Sequence, residues 1–90
     1  MDTLLLNNHE FMTSSELTKK IAKKIKIIRK KRFKTQAEFA QHIGMSYGTY
    51  ARFEKTGQVS FLGFIDILKG IDRVDDIANA FDENSSVIEW

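Results

Sequence analysis

Ninety residues, 42% hydrophobic and 11% aromatic, make one small domain with a single compact core. The absence of cysteine excludes disulfides and thiolate metal sites and suits a reducing cytoplasm; no apolar run spans a membrane, and Leu4-Leu5-Leu6 lacks the basic stretch that opens a signal peptide. The net charge of +2 conceals two poles: residues 19–58 hold twelve Lys and Arg against two acids, a net of +10, and residues 59–90 hold two against seven, a net of −5. Such a dipole orients a molecule on a polyanion, although a solvated lysine-rich face has the same composition.

With no proline and a prevailing helical period, the expected class is all-α. Residues 1–12 show no period and read as a loose N-terminal arm. A first helix begins at Thr13, where Thr13 and Glu16 have capping-box spacing and Met12 is placed to staple onto Leu17. Leu17, Ile21, Ile25 and Ile28 form its apolar stripe. Lys and Arg, Arg29 among them, fill the other faces and crowd the C-terminal half, where they complement the dipole. Phe33 closes this helix onto the core. A second helix opens with the box Thr35 to Glu38, turns Ala37, Phe39, Ala40 and Ile43 inward, and stops at Gly44. Ser46 caps a third helix with Tyr50 and Phe53 inward and Gly57 as its stop. Ser60 caps a fourth, with Phe61, Phe64, Ile65 and Leu68 inward and Gly70 at its end. Asp72 caps a fifth, with Val74, Ile77 and Phe81 inward. Residues 13–81 thus form the domain, and residues 82–90 an acidic tail that turns apolar at Val87 and Ile88 and reaches Trp90.

Residues 35–57 carry the functional signal, the pattern of a helix-turn-helix. Ala40 is small where the two helices approach. Gly44, four residues on, suits the left-handed turn, and Phe39, Ile43, Met45, Tyr50 and Phe53 pin the third helix from behind. With that back fixed, Ser46, Tyr47, Gly48, Ala51 and Arg52 face outward, the positions that meet base edges in the major groove of duplex DNA. Arg52 has the donors to hold guanine O6 and N7 together; the plainer reading is a surface salt bridge. Tyr47 reads as a contact to a sugar or a thymine methyl, or as an ordinary exposed aromatic. Gly48 lets the helix sit close. Gln36, at the first turn of the second helix, with Lys34, Thr49, Lys55, Gln58 and Ser60, supplies the expected phosphate contacts, which hold register without reading sequence. Lys19 and Lys20 read as solvated.

Thr35-Gln36, Phe39-Ala40, Gly44, Thr49, Arg52-Phe53-Glu54 and Gly57 make residues 17–71 resemble the lambda-repressor/Cro-like (Xre) helix-turn-helix family. Tyr50 departs from it, since a β-branched aliphatic is usual there, and its hydroxyl needs a partner or solvent. The resemblance implies a five-helix DNA-binding domain acting as a homodimer on a pseudo-palindromic operator, with half-sites about one helical turn apart. Residues 56–61, the run from Phe64 to Leu68 and the ending Glu89-Trp90 further resemble HipB-type antitoxins. Those proteins repress their own operon and bind a HipA-type serine/threonine kinase toxin. That resemblance implies a partner-binding tail at Ile88 and Trp90; the alternative is a tryptophan folded back on its own core. HipB-type dimers are associated with a C-terminal strand, whereas residues 73–81 read as helix, so the dimer contact is left open.

Catalysis is not expected. His9 and His42 stand apart from any acid–base pair, nucleophile or phosphate loop, and neither a metal nor a cofactor has ligands to hold it. Two other readings stay open: a solitary phage-type repressor, and an interaction module that neutralises a partner protein without reading DNA.

Overall fold

A computed structural model describes residues 11–82 of the chain; Ile88 and Trp90, like most of the N-terminal arm, lie outside the described residues. The described residues are all-helical, with five helices: α1 Ser14–Lys30, α2 Gln36–His42, α3 Tyr47–Thr56, α4 Phe61–Gly70 and α5 Val74–Asn79.

Local chemistry sets the boundaries. The Thr13 hydroxyl accepts the Glu16 amide at 3.0 Å while the Glu16 carboxylate accepts the Thr13 amide at 2.9 Å, so two otherwise orphaned N–H groups are satisfied. Thr35 and Glu38 repeat this reciprocal cap at α2. Ser46 and Ser60 accept the amides of Thr49 and Gly63, capping α3 and α4. At the end of α2, Gly44 takes φ +71°. Its amide meets the Gln41 carbonyl and the Met45 amide meets the Ala40 carbonyl, the paired bonds of a Schellman stop.

The core is assembled from every helix. Phe39, Tyr50, Phe53 and Ile67 are fully buried, with Ala22, Ile25, Ala40, Leu68 and Ile71 around them and Val74 and Ile77 of α5 packed against the cluster. Aromatic rings run through it in sequence. Phe33 meets Phe39 at 5.4 Å and Phe39 meets Tyr50 at 4.9 Å, both edge to face, a favourable geometry, and tilted contacts continue through Phe53 to Phe64.

Five expectations are corrected. Arg29 is not on an outer face but 2% exposed: it lies four residues from Ile25 and seven from Ala22, on the buried stripe of α1. Ala37 is exposed, because it lies about 115° around α2 from the stripe of Phe39, Ala40 and Ile43. Phe61 is 74% exposed; it opens α4 and lines a cleft with Val59 and Phe64, and Ile67 takes the buried place instead. Phe81 is 70% exposed because α5 ends at Asn79, before helical period carries it inward. Asp72 does not cap α5, which begins after Arg73 without a side-chain cap. It serves the end of α4 instead, at φ +61°. The Asp72 amide bonds to the Lys69 carbonyl and the Arg73 amide to the Leu68 carbonyl, the same stop glycine makes at α2.

Asp72→Gly removes the left-handed strain but also the exposed pair with Arg32 Nη1 at 2.6 Å. The net expected is a stabilisation of up to ~1 kcal/mol, read as a higher urea midpoint with an unchanged slope. A loss beyond that size would mean the Arg32 contact outweighs the backbone strain.

Candidate nucleic-acid interface

The exposed face of α3 is held in place from behind by a buried polar cluster. Arg29 of α1 donates from Nε and Nη2 to the two oxygens of Glu54 at 3.0 and 3.1 Å. Its Nη1 donates to the carbonyls of Phe33 and Lys34 at 3.0 and 2.9 Å. One guanidinium therefore ties the end of α1, the segment leading to α2, and α3. Gln36, first residue of α2, donates its side-chain amide to Glu54 Oε1 at 2.8 Å. The Tyr50 hydroxyl donates to Glu54 Oε2, so the polar end of a fully buried ring is satisfied within its own helix. Among the described residues no buried side-chain nitrogen or oxygen lacks a partner.

Burial opposes both charges of this cluster, and hydrogen bonding reverses the outcome. Bonds to Glu54 leave the Arg29 guanidinium above its ordinary value. Bonds from Arg29, Tyr50 and Gln36 hold the Glu54 carboxyl below the usual glutamate range. Burial, then the Glu54 acceptor, pushes the Tyr50 hydroxyl well up. At neutral pH the pair is ionised and the phenol is not.

On the opposite side of α3, Gly48 and Arg52 are exposed; Ser46 and Tyr47 are exposed at its N-terminal end, and Ala51 is half-buried. Tyr47 stands 57% exposed. A cleft of about 590 Å³ runs beside them, lined by Ser46, Gly48, Thr49, Arg52, Gln58 and Ser60. Nothing stands within 4 Å of where a Gly48 side chain would begin, so that point of the helix is open to a close ligand. Arg52 donates from Nη2 to the side-chain Oε1 of Gln58 at 2.8 Å, and the backbone N–H of Gln58 donates to the Thr56 hydroxyl at 3.0 Å. That bond uses one of the five guanidinium N–H groups and leaves the others for a ligand.

The sequence-based phosphate set is divided by the structure. Thr49, Gln58 and Ser60 share the cleft with Arg52. Lys55 is exposed in the last turn of α3, and Lys34 is exposed ahead of α2. Gln36 is half-buried with an amide hydrogen committed to Glu54. Ser46 and Thr49 join hydroxyls at 2.8 Å, so Ser46 works first as a cap. The Arg29–Glu54 pair was missed as a unit. The available signal was Tyr50, a phenol on a core position with an acid one turn later at Glu54. His42 lies with its ring 4.8 Å from Phe33, in a packing role.

Compared with known proteins, the chain matches no family model, no curated protein and no solved structure. Among the described residues no helix is long and apolar enough to cross a membrane.

Proposed function

We propose that the protein is a sequence-specific DNA-binding transcriptional repressor of lambda-repressor-like architecture, with α3 as the helix that enters the major groove. The observation that carries this reading is the two-sided construction of α3. Its back is fixed by Tyr50, Phe53 and the Arg29–Glu54 pair, while its front presents Gly48 and Arg52 beside an open cleft, with Tyr47 exposed at the N-terminal end of the helix. A rigid helix with a small residue at its point of closest approach and an arginine held at its edge suits direct readout. Gln58 is the positioning residue for Arg52 in this scheme. Thr49, Ser60, Lys55, Lys34 and Gln36 flank the reader as phosphate contacts. The homodimer on a pseudo-palindromic operator, and the role of antitoxin to a HipA-type kinase whose operon it represses, rest on the family resemblance and are proposed on that basis.

The test is a footprint of the purified protein on DNA upstream of its own gene, at two salt concentrations. A repressor protects two half-sites at both salts, whereas diffuse binding that vanishes with salt is phosphate attraction alone. Arg52→Ala is expected to weaken operator binding by about 5- to 150-fold, corresponding to about 1–3 kcal/mol of base discrimination, with little effect on random DNA. Equal weakening on both DNAs would reject the assignment of Arg52 as a base reader.

A further inference from the structure

The lysines of α1 do not share a side of the molecule with the proposed reader. α1 and α3 stack directly. Arg29 meets Glu54, and a side chain at Gly57 would strike the α1 backbone at Thr18 and Lys19. At 100° per residue, the part of α1 opposite Thr18 and Arg29 carries Lys23, Lys24, Ile27 and Lys31, with Lys30 beside them. All five are exposed. The part of α3 opposite Glu54 and Gly57 carries Gly48, Arg52 and Lys55. The two exposed faces are therefore back to back, with two packed helices between them, roughly 20 Å of protein. The Debye length at physiological ionic strength is only about 8 Å. Phosphates seated against α3 leave the α1 lysines un-neutralised.

That face is built unfavourably for water alone. Between Glu16 and Glu38 the sequence holds ten Lys and Arg and no acid. Arg29 and Arg32 are drawn into pairs with Glu54 and Asp72. Lys23, Lys24, Lys30 and Lys31 have no acid three or four residues away, and Lys23 and Lys30 each stand at that spacing from Lys26. Like charges so placed repel, where an ordinary solvated helix alternates its signs. Lys23 to Lys31 spans about 12 Å of helix. A duplex carries a charge every ~1.7 Å and neutralises the whole row, which one phosphate does not.

We propose that the outer face of α1, with Lys23, Lys24, Lys30 and Lys31, binds the phosphate backbone of a nucleic-acid duplex independently of α3. Given the α3 reading above, on which only this consequence rests, one molecule joins two duplex segments.

The test compares the full chain, a K23Q/K24Q/K30Q/K31Q variant, the same four changed to arginine, and Arg52→Ala. Glutamine and arginine are both good helix formers, and thermal melts verify that each variant folds; K23Q/K24Q alone provides a milder second test. Binding to a random-sequence DNA duplex is measured against salt. Capture of a fluorescent duplex on beads bearing the same duplex is measured at saturating protein. The four-glutamine variant should lower the salt slope by about 2–4 and cut capture about tenfold, with arginine restoring both. Unchanged slope and capture overturn the proposal. So does unchanged DNA capture with lost binding to phosphatidylserine vesicles, which would assign the face to a membrane surface. If the glutamine variant loses all duplex binding while Arg52→Ala leaves the operator footprint intact, the α1 site stands and the α3 reading fails.

Discussion

Replacing Glu54 by glutamine is expected to destabilise the protein by about 3–5 kcal/mol, a large part of the total stability of a domain this size. The change keeps shape and removes one charge. Arg29 is then left 2% exposed with no counter-charge. Its bonds to the carbonyls of Phe33 and Lys34 remain, but they do not neutralise it. Removing both partners, as Arg29→Met with Glu54→Leu, should cost much less than the sum of the single changes, because no charge is stranded. The pH dependence has a definite sign. Glu54 has a folded pKa below its unfolded one, so its contribution is complete above the ordinary glutamate range and is lost as pH falls through the lower folded value. Tyr50 has a raised folded pKa, so its contribution declines as pH rises past the ordinary phenol value of 10.0. Urea midpoints across the acid range should therefore show a limb in the native protein that is reduced in Glu54→Gln. A glutamine variant within about 1 kcal/mol of the native protein would mean that the pair behaves as an exposed one.

The helix plan was legible because it rests on local chemistry. Thr13 with Glu16, Thr35 with Glu38, and the serines at 46 and 60 each cap the helix they precede. Gly44 and Gly57 stop theirs in the left-handed region. These signals operate within four residues. What was not legible depends on partners distant in the chain. Arg29 reads as one more cation in a basic run, and only Glu54, twenty-five residues on, makes its burial tolerable. Phe61 has the right spacing for the core and is nevertheless exposed, since period reports a face and not how far the neighbouring helices extend over it. Asp72 is a good cap by residue type, but the same tolerance of αL that asparagine and aspartate share places it one residue earlier, as a stop. At the candidate site, the exposure of Gly48 and Arg52 follows from the buried set of α3 and was readable; Tyr47 shares the helix face of Tyr50 and is exposed because it opens the helix. The link from Arg52 to Gln58 was not readable, because it crosses from the helix to the loop after it.

Gly57→Ala should be far more damaging than Gly44→Ala, although the two glycines hold nearly the same backbone conformation. Gly57 has φ +79° and Gly44 φ +71°, so each substitution carries the left-handed cost of roughly 1–2 kcal/mol. At Gly44 nothing stands within 4 Å of the added carbon, and the loss should stop there. At Gly57 that carbon would lie 2.7 Å from the Thr18 carbonyl carbon, 2.8 Å from its oxygen and 2.9 Å from the Lys19 nitrogen. These are backbone atoms inside the first turns of α1 and have no rotamer through which to move aside. Either α3 tilts or α1 shifts, and each disturbs the packing around Phe53, adding about 1–3 kcal/mol. The total expected at Gly57 is about 2–5 kcal/mol, measured by chemical denaturation of both variants side by side. The displacement also bears on function. Gly57 is where the end of α3 rests on α1, so a shift there re-aims Arg52 and Gln58 relative to Tyr47 at the other end of the helix. Under the proposed role of α3 as a DNA reader, Gly57→Ala protein that remains folded should lose operator discrimination, whereas Gly44→Ala should retain it in proportion to its folded fraction. Equal stability losses at the two glycines would show that the α1 backbone yields freely, and that the seat of α3 is set by the Arg29–Glu54 pair alone.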